Sequence, residues 1–151
     1  MRVDIGPVSL PRALVILLLI ALAAALVWLY TPDKSRTWLE SRYLRQPQDL
    51  IQIGNQRLHV RMLGDPARQL PVLVLVHGFA ASLQSYDLWS EDLAKDYRVV
   101  LMDLPGQGLS GPDPDGDYSV EKSVKVISGL LDHLDLHHVT LIGHSMGGQM
   151  A

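Results

Sequence analysis

Val139-Thr140-Leu141-Ile142-Gly143-His144-Ser145-Met146-Gly147-Gly148 is the stretch on which the reading of this chain turns. Val139 to Ile142 is a short apolar run that starts on β-branched residues, the composition of a buried strand. It leads straight into Gly143-His144-Ser145-Met146-Gly147, which fits the G-x-S-x-G pattern of a nucleophile elbow. In such a turn the chain passes from strand to helix very tightly. Side chains two before and two after the serine would collide with neighbouring backbone, so both positions need glycine. Ser145 is thereby expected to stand exposed at the end of its strand. It would lie over a helix N-terminus whose amides favour developing negative charge. The bare pattern carries little weight, since it arises by chance in about one chain in twenty of this length, taking each residue at roughly 7%. Its place after a strand and before small residues supplies the context it requires.

Working back from the elbow, strands and helices alternate. Val120, Val124, Ile127, Leu130, Leu131 and Leu134 repeat at helical spacing. Before them lies a loop rich in Gly and Pro, from Leu104 to Asp117. Arg98 to Met102 is a buried strand ending at Asp103, and Tyr86, Trp89 and Leu93 share one helical face. Pro71 leads into Val72-Leu73-Val74-Leu75-Val76, a continuous apolar run that ends at His77-Gly78. Such runs mark strands covered on both faces, as in parallel sheets. Leu50 to Ile53 and Gln56 to Leu63 flank Gly54-Asn55, a hairpin signal. The pattern predicts an α/β fold with a mostly parallel sheet over residues 49–151.

The N-terminal part reads differently. Ala13 to Tyr30 is eighteen residues without a charge, flanked by Arg12 and by Pro32 with Asp33. At a helical rise of roughly 1.5 Å it would span about 27 Å, close to the hydrocarbon thickness of a bilayer. Trp28 and Tyr30 sit at one end, where aromatic rings favour the membrane boundary. A cleaved signal peptide, with Arg2 and Arg12 as its charged region and Ala23-Ala24-Ala25 as its cleavage site, is the competing reading. The apolar run continues through Leu26, Val27 and Leu29, which a cleavage site would not need, so an uncleaved membrane anchor is preferred. Residues 1–12 are then a flank and residues 31–48 a juxtamembrane linker. Residues 31–61 carry six basic and three acidic side chains, residues 62–151 five and twelve. The basic strip could lie near anionic headgroups; a solvated helix around Ser35 to Leu44 explains it equally well.

Composition sets further limits. The 151 residues include no cysteine, are 48% hydrophobic and 19% charged, and carry a formal net charge of −3. That excludes a disulfide scaffold, a thiolate metal site, a cysteine nucleophile and a disordered chain. A mild acidic balance argues against a nucleic-acid partner. Gly106-Gln107-Gly108-Leu109-Ser110-Gly111 matches the dinucleotide pattern G-x-G-x-x-G, but that motif must open a helix. Pro112 and Pro114 follow instead and forbid it.

Taken with the elbow, two upstream motifs resemble those of the α/β-hydrolases, in the matching order. His77-Gly78-Phe79 looks like that family's oxyanion loop, and Asp103-Leu104-Pro105-Gly106-Gln107-Gly108-Leu109-Ser110 like its D-x-x-G-x-G-x-S loop. The resemblance covers residues 50–151 and points to the serine-nucleophile branch. It implies Ser145 as the nucleophile, with the backbone N–H groups of Phe79 and Met146 stabilising the oxyanion. His77 would support the oxyanion loop and Gly78 would admit close backbone approach. Asp103 would fix its loop by bonding backbone amides, while Gly106, Gly108, Ser110, Gly143, His144 and Gly147 complete the motifs. His59, His133, His137 and His138 are expected at the surface or at helix ends. Phe79, Leu83, Trp89 and Leu109 are candidates for an apolar pocket wall, Trp89 fitting ordinary core packing better.

The resemblance implies a serine hydrolase that cleaves a carboxylic ester or a related acyl or C–C bond through an acyl-enzyme. The expected partners are a small acyl substrate, lipophilic if the anchor matters, and a membrane held through residues 13–30. No metal or organic cofactor is expected. An acyltransferase or a cofactor-free haloperoxidase on the same fold is one alternative, and a non-catalytic binding protein another. A triad also needs an acid and then a histidine after the serine. Only six residues follow Ser145, and neither is among them. The expectation is therefore the front part of a longer protein, ended after the elbow, inactive as an isolated piece and exposing an unpaired strand edge.

Overall fold

The computed structural model describes residues 9–151. It divides the chain into two compact units, the first ending at Ser35 and the second running from Arg36 to Ala151. The first unit is helix α1, Leu10–Leu29. It begins three residues earlier than Ala13 because Pro11 sits in the first turn, where its missing N–H costs nothing and its fixed φ suits the helix. Tyr30 is its C-cap. None of its side chains is buried, and it is long and apolar enough to cross a membrane. Arg2, assigned to the charged flank, lies outside the described residues.

The second unit opens with α2, Arg36–Tyr43, inside the stretch expected as linker. Arg42 is exposed, but Arg36 is engaged within the unit. Arg36 pairs with Glu40 at 2.8 Å and donates to the Leu109 carbonyl, and Glu40 also faces Arg57 at 3.5 Å. Just past the helix, Arg45 meets Glu91 at 2.9 Å.

Five strands follow the expected runs: β1 (Leu50–Ile53), β2 (Gln56–Leu63), β3 (Val72–Val76), β4 (Arg98–Met102) and β5 (Val139–Gly143). Their order across the sheet is β1-β2-β4-β3-β5. β3 runs parallel to β4 and to β5, but β2 is antiparallel to both β1 and β4. Four of the five strands thus share one direction, as expected of a mostly parallel sheet, and β2 alone runs against them. Parallel neighbours need a crossover of roughly a dozen residues or more. Residues 77–97 between β3 and β4, and residues 77–138 between β3 and β5, provide that length.

Period-2 alternation sends each strand's side chains to two cores. Val74, Val76, Val100 and Met102 pack with Leu58 and Val60 under Ile127 and Leu130 of α4, Val120–His133. Leu75, Val99 and Leu101 pack on the other face against Leu83 and Tyr86. Both faces are covered, which is why the strands read as unbroken apolar runs. Ser119 caps α4, its hydroxyl accepting from the Lys122 amide at 3.2 Å. The helix expected around Tyr86 starts later, as α3 (Asp87–Leu93), after a 3₁₀ turn at Leu83–Tyr86. Tyr86 is buried and meets the half-exposed Trp89 edge to face at 5.2 Å.

After β5 comes a 3₁₀ turn, Ser145–Gln149, in place of the expected α-helix start. β5 pairs with β3 on one side, and among the described residues no strand pairs with its other edge.

Candidate active site

The geometry of the elbow follows from its glycines. Ser145 sits at φ +53°, a left-handed conformation that a non-glycine residue keeps only where its surroundings hold it. A Cβ on Gly143 would lie 2.2 Å from the Gly147 carbonyl oxygen. One on Gly147 would lie 2.2 Å from the Val76 carbonyl oxygen, on the neighbouring strand. Backbone thus packs on backbone at both positions, and the Ser145 side chain is left exposed. The His144 amide donates to Val76 O at 3.1 Å, and the buried Tyr86 hydroxyl donates to the same oxygen at 2.9 Å. Burial pushes the Tyr86 phenol above its ordinary range.

Next to the elbow lies the turn that ends β3. A Cβ on Gly78 would come within 3.2 Å of Ser145 Cβ and of the His144 carbonyl oxygen, so this turn and the elbow touch. His77 is fully buried with both ring nitrogens engaged. The Leu104 amide donates to Nε2 at 3.1 Å, so the other nitrogen, Nδ1, carries the proton and donates to the Gly78 carbonyl at 2.7 Å. That carbonyl belongs to the same peptide as the Phe79 N–H, and no cis peptide occurs among the described residues. A planar trans peptide carries its C=O and N–H on opposite sides. By holding the carbonyl, His77 aims the Phe79 amide. That amide has no hydrogen-bond acceptor among the described residues. The Phe79 ring is 79% exposed and, with Met146, Leu104, Pro105, Gly106 and Tyr118, lines a cavity of about 400 Å³.

Asp103, at the end of β4, is wholly buried. Its Oδ1 accepts the Leu83 amide at 2.7 Å; its Oδ2 accepts the Leu109 amide at 2.8 Å and the His59 Nδ1–H at 2.7 Å. Its carbonyl takes the Ser110 hydroxyl at 2.7 Å, and that hydroxyl in turn receives the His59 amide at 3.0 Å. Gly108, at φ +53°, leaves the room the carboxylate occupies, and Gly106, at φ +74°, passes under the Tyr118 ring. The G-x-G-x-x-G segment therefore wraps a carboxylate from the chain itself. No helix opens before Val120, so the segment lacks the N-terminus that a pyrophosphate needs.

Two expectations are corrected. His59 is neither at the surface nor at a helix end; it lies in mid-β2, fully buried between Leu58 and Val60. Its signal was available, since a histidine inside an apolar strand must find a partner. Phe79, Leu83, Trp89 and Leu109 do not share one wall. Leu83 is drawn into the core where its amide reaches Asp103, Leu109 faces α2 residues Leu39 and Tyr43, and Trp89 borders a space beside His77 and Gly78. His133, His137 and His138 are exposed, as is His144. Among the described residues no side chain hydrogen-bonds the Ser145 hydroxyl, and no cluster of His, Asp or Glu could hold a metal ion.

The chain is similar to several known proteins. Hydrolase YugF of Bacillus subtilis (strain 168) is 37% identical over 87 residues, 58% of this chain and 31% of its own. The dihydrolipoyllysine-residue acetyltransferase component of the acetoin cleaving system of Pseudomonas putida is 41% identical over 80 residues, 52% of this chain and 21% of its own. The chain thus spans a third or less of these curated relatives. The crystal structure of a membrane phospholipase A superposes with a TM-score of 0.64 at 28% identity, covering 92% of this chain and 45% of that one. The family model for the alpha/beta hydrolase fold matches residues 71–151, which is more than half of the chain. The chain belongs to the alpha/beta hydrolase fold family.

Proposed function

We propose that Ser145 is the nucleophile of a membrane-anchored hydrolase that cleaves carboxylic esters through an acyl-enzyme. The observation that carries this reading is the left-handed, glycine-flanked Ser145 standing exposed beside the unengaged Phe79 amide. Ser145 Oγ attacks the carbonyl carbon and its proton passes to a general base. The Phe79 and Met146 amides receive the oxyanion, a type of donor whose loss costs about 3 kcal/mol in comparable sites. Collapse expels the alcohol, which takes up the proton. Water then attacks the acyl-enzyme, releasing the carboxylic acid and the free serine. The relatives are more than three times as long as the matched segment, so in this reading the base and its orienting acid come from sequence these 151 residues do not contain. Without it the piece would not turn over.

The apolar cavity lined by Phe79 and Met146 supports a lipophilic acyl or alkyl group. Helix α1 and the likeness to a membrane phospholipase A support an ester drawn from the bilayer. The acetyltransferase relative favours a second reading, in which an alcohol or thiol instead of water takes the acyl group. The test is the full-length protein with a fluorophosphonate probe and a long-chain p-nitrophenyl ester. Covalent labelling lost in Ser145→Ala, with turnover falling about 10⁴-fold or more, is the expected result. Undiminished turnover in that variant would overturn the reading. Faster acyl transfer to an added alcohol than to water would select the second.

A further inference from the structure

A strand core normally excludes imidazole. His59 is wholly buried on β2, yet its Nε2 has no hydrogen-bond partner. The orphaned nitrogen is unfavourable, and an apolar side chain of similar size would avoid it. The retained benefit lies at Nδ1, whose proton goes to Asp103 Oδ2 at 2.7 Å. We propose that His59 is a positioning residue for the oxyanion site, acting through Asp103. The inference rests on the Ser145 reading above.

The path is short and each link is a hydrogen bond. Asp103 receives one backbone donor on each oxygen, Leu83 N–H on Oδ1 and Leu109 N–H on Oδ2. Leu83 begins the 3₁₀ turn that ends the segment starting at His77-Gly78-Phe79, so the carboxylate ties down the far end of the oxyanion loop. Leu109 belongs to the loop whose Leu104 amide sets the His77 tautomer, and His77 aims the Phe79 peptide at the near end. Asp103 therefore serves both ends. Leu83 and Leu109 each contribute one backbone amide from outside the sheet. The ring of His59 comes from a central strand paired on both sides, and it supplies the third, rigid contact. Ser110 closes the unit, accepting from the His59 amide and donating to the Asp103 carbonyl.

An oxyanion donor acts on charge that exists only at the transition state. Misplacing it lowers kcat and leaves KM nearly unchanged. Three variants of the full-length protein test this: His59→Leu, which removes the donor, His59→Asn, whose side-chain amide reaches the place of Nδ1–H, and His59→Gln, whose amide lies further out. The expected result is a fall in kcat of about tenfold or more in His59→Leu and His59→Gln at unchanged KM. His59→Asn should recover most of it. Affinity for a phosphonate transition-state analogue should follow kcat, while affinity for a non-hydrolysable ether analogue of the ester should not. Equal kcat in the Asn and Gln variants, or a change in KM alone, would overturn the proposal. Should His59→Leu fail to fold, the Asn and Gln pair decides alone. Normal kcat in all three with a dead Ser145→Ala would sink this inference and leave the reading of Ser145 standing. Full activity in Ser145→Ala would remove that reading first.

Discussion

A methyl group on Gly108 would lie 2.1 Å from Oδ2 of Asp103. The same oxygen takes hydrogen bonds from Leu109 and His59, so it cannot move aside. Glycine at this position is a condition for Asp103 to sit where it does, and with it the Leu83 and Leu109 amides that it holds.

Replacing Gly108 by alanine should destabilise the protein by roughly 3 kcal/mol, adding a left-handed backbone penalty of about 1–2 kcal/mol to overpacking of similar size. Gly116 gives the control. It too has a positive φ, +69°, but nothing lies within 4 Å of its would-be Cβ. Gly116→Ala should therefore cost only the backbone penalty of about 1–2 kcal/mol. Thermal midpoints of the two variants, measured side by side in detergent, would expose equal losses if the packing argument were wrong.

Tyr86 offers a test in alkali. Its hydroxyl donates to Val76 O, so Tyr86→Phe should cost about 1 kcal/mol near neutrality. Burial raises the phenol's pKa in the folded state, and the neutral form is what the fold holds. That contribution is complete below the unfolded value of about 10 and is lost as pH rises through the folded one. The wild type should lose more stability than Tyr86→Phe as pH rises above about 10. Parallel alkaline curves would contradict it.

Acid should find a different group. Burial works against the Asp113 carboxylate, but the amides of Asp115 and Asp117, at 2.9 and 3.2 Å, and the Lys122 ammonium outweigh it and hold its pKa below the usual range. Stability from this group is present above the unfolded value near 4 and is lost as pH falls through the folded one. The wild type should be more stable than Asp113→Asn at pH 7, and the gap should narrow as pH drops below about 4. A gap that stays constant down to pH 3 would show that the carboxylate's charge contributes nothing.

Helix α1 makes a claim about location. If it anchors the protein, Leu18→Asp together with Leu19→Asp should release it from alkali-washed membranes, each aspartate disfavouring insertion by about 2.5–3.5 kcal/mol at mid-helix. The wild type should stay with the membrane and keep residues 10–29. A mature N-terminus just after Ala25 would identify the segment as a cleaved signal instead.

Much of the fold can be read from local patterns. Each of the five strands lies where a short apolar or alternating run is bounded by turn residues, and the Gly54-Asn55 hairpin and the Ser119-capped helix follow the same short-range chemistry. The elbow is legible for a similar reason, since its constraint is backbone against backbone within a few residues. The direction of β2 was not legible. It depends on which strand β2 meets across the sheet, and side-chain alternation is the same in parallel and antiparallel neighbours.

Where the chain turns, which runs are buried and which serine stands exposed after β5 are all local matters, because glycine, proline and hydrophobic period act over a few residues. What Asp103 holds, and what holds it, depends on how the folded strands and loops meet. His59, Leu83 and Leu109 are 44, 20 and 6 residues from it along the chain. A carboxylate binds whichever donors the packed strands deliver, and no spacing announces which those are. His59 looked like a surface histidine because nothing near it in the chain asks for a charge partner. The partner stands at the end of β4, on the neighbouring strand, and meets His59 only once the sheet has formed.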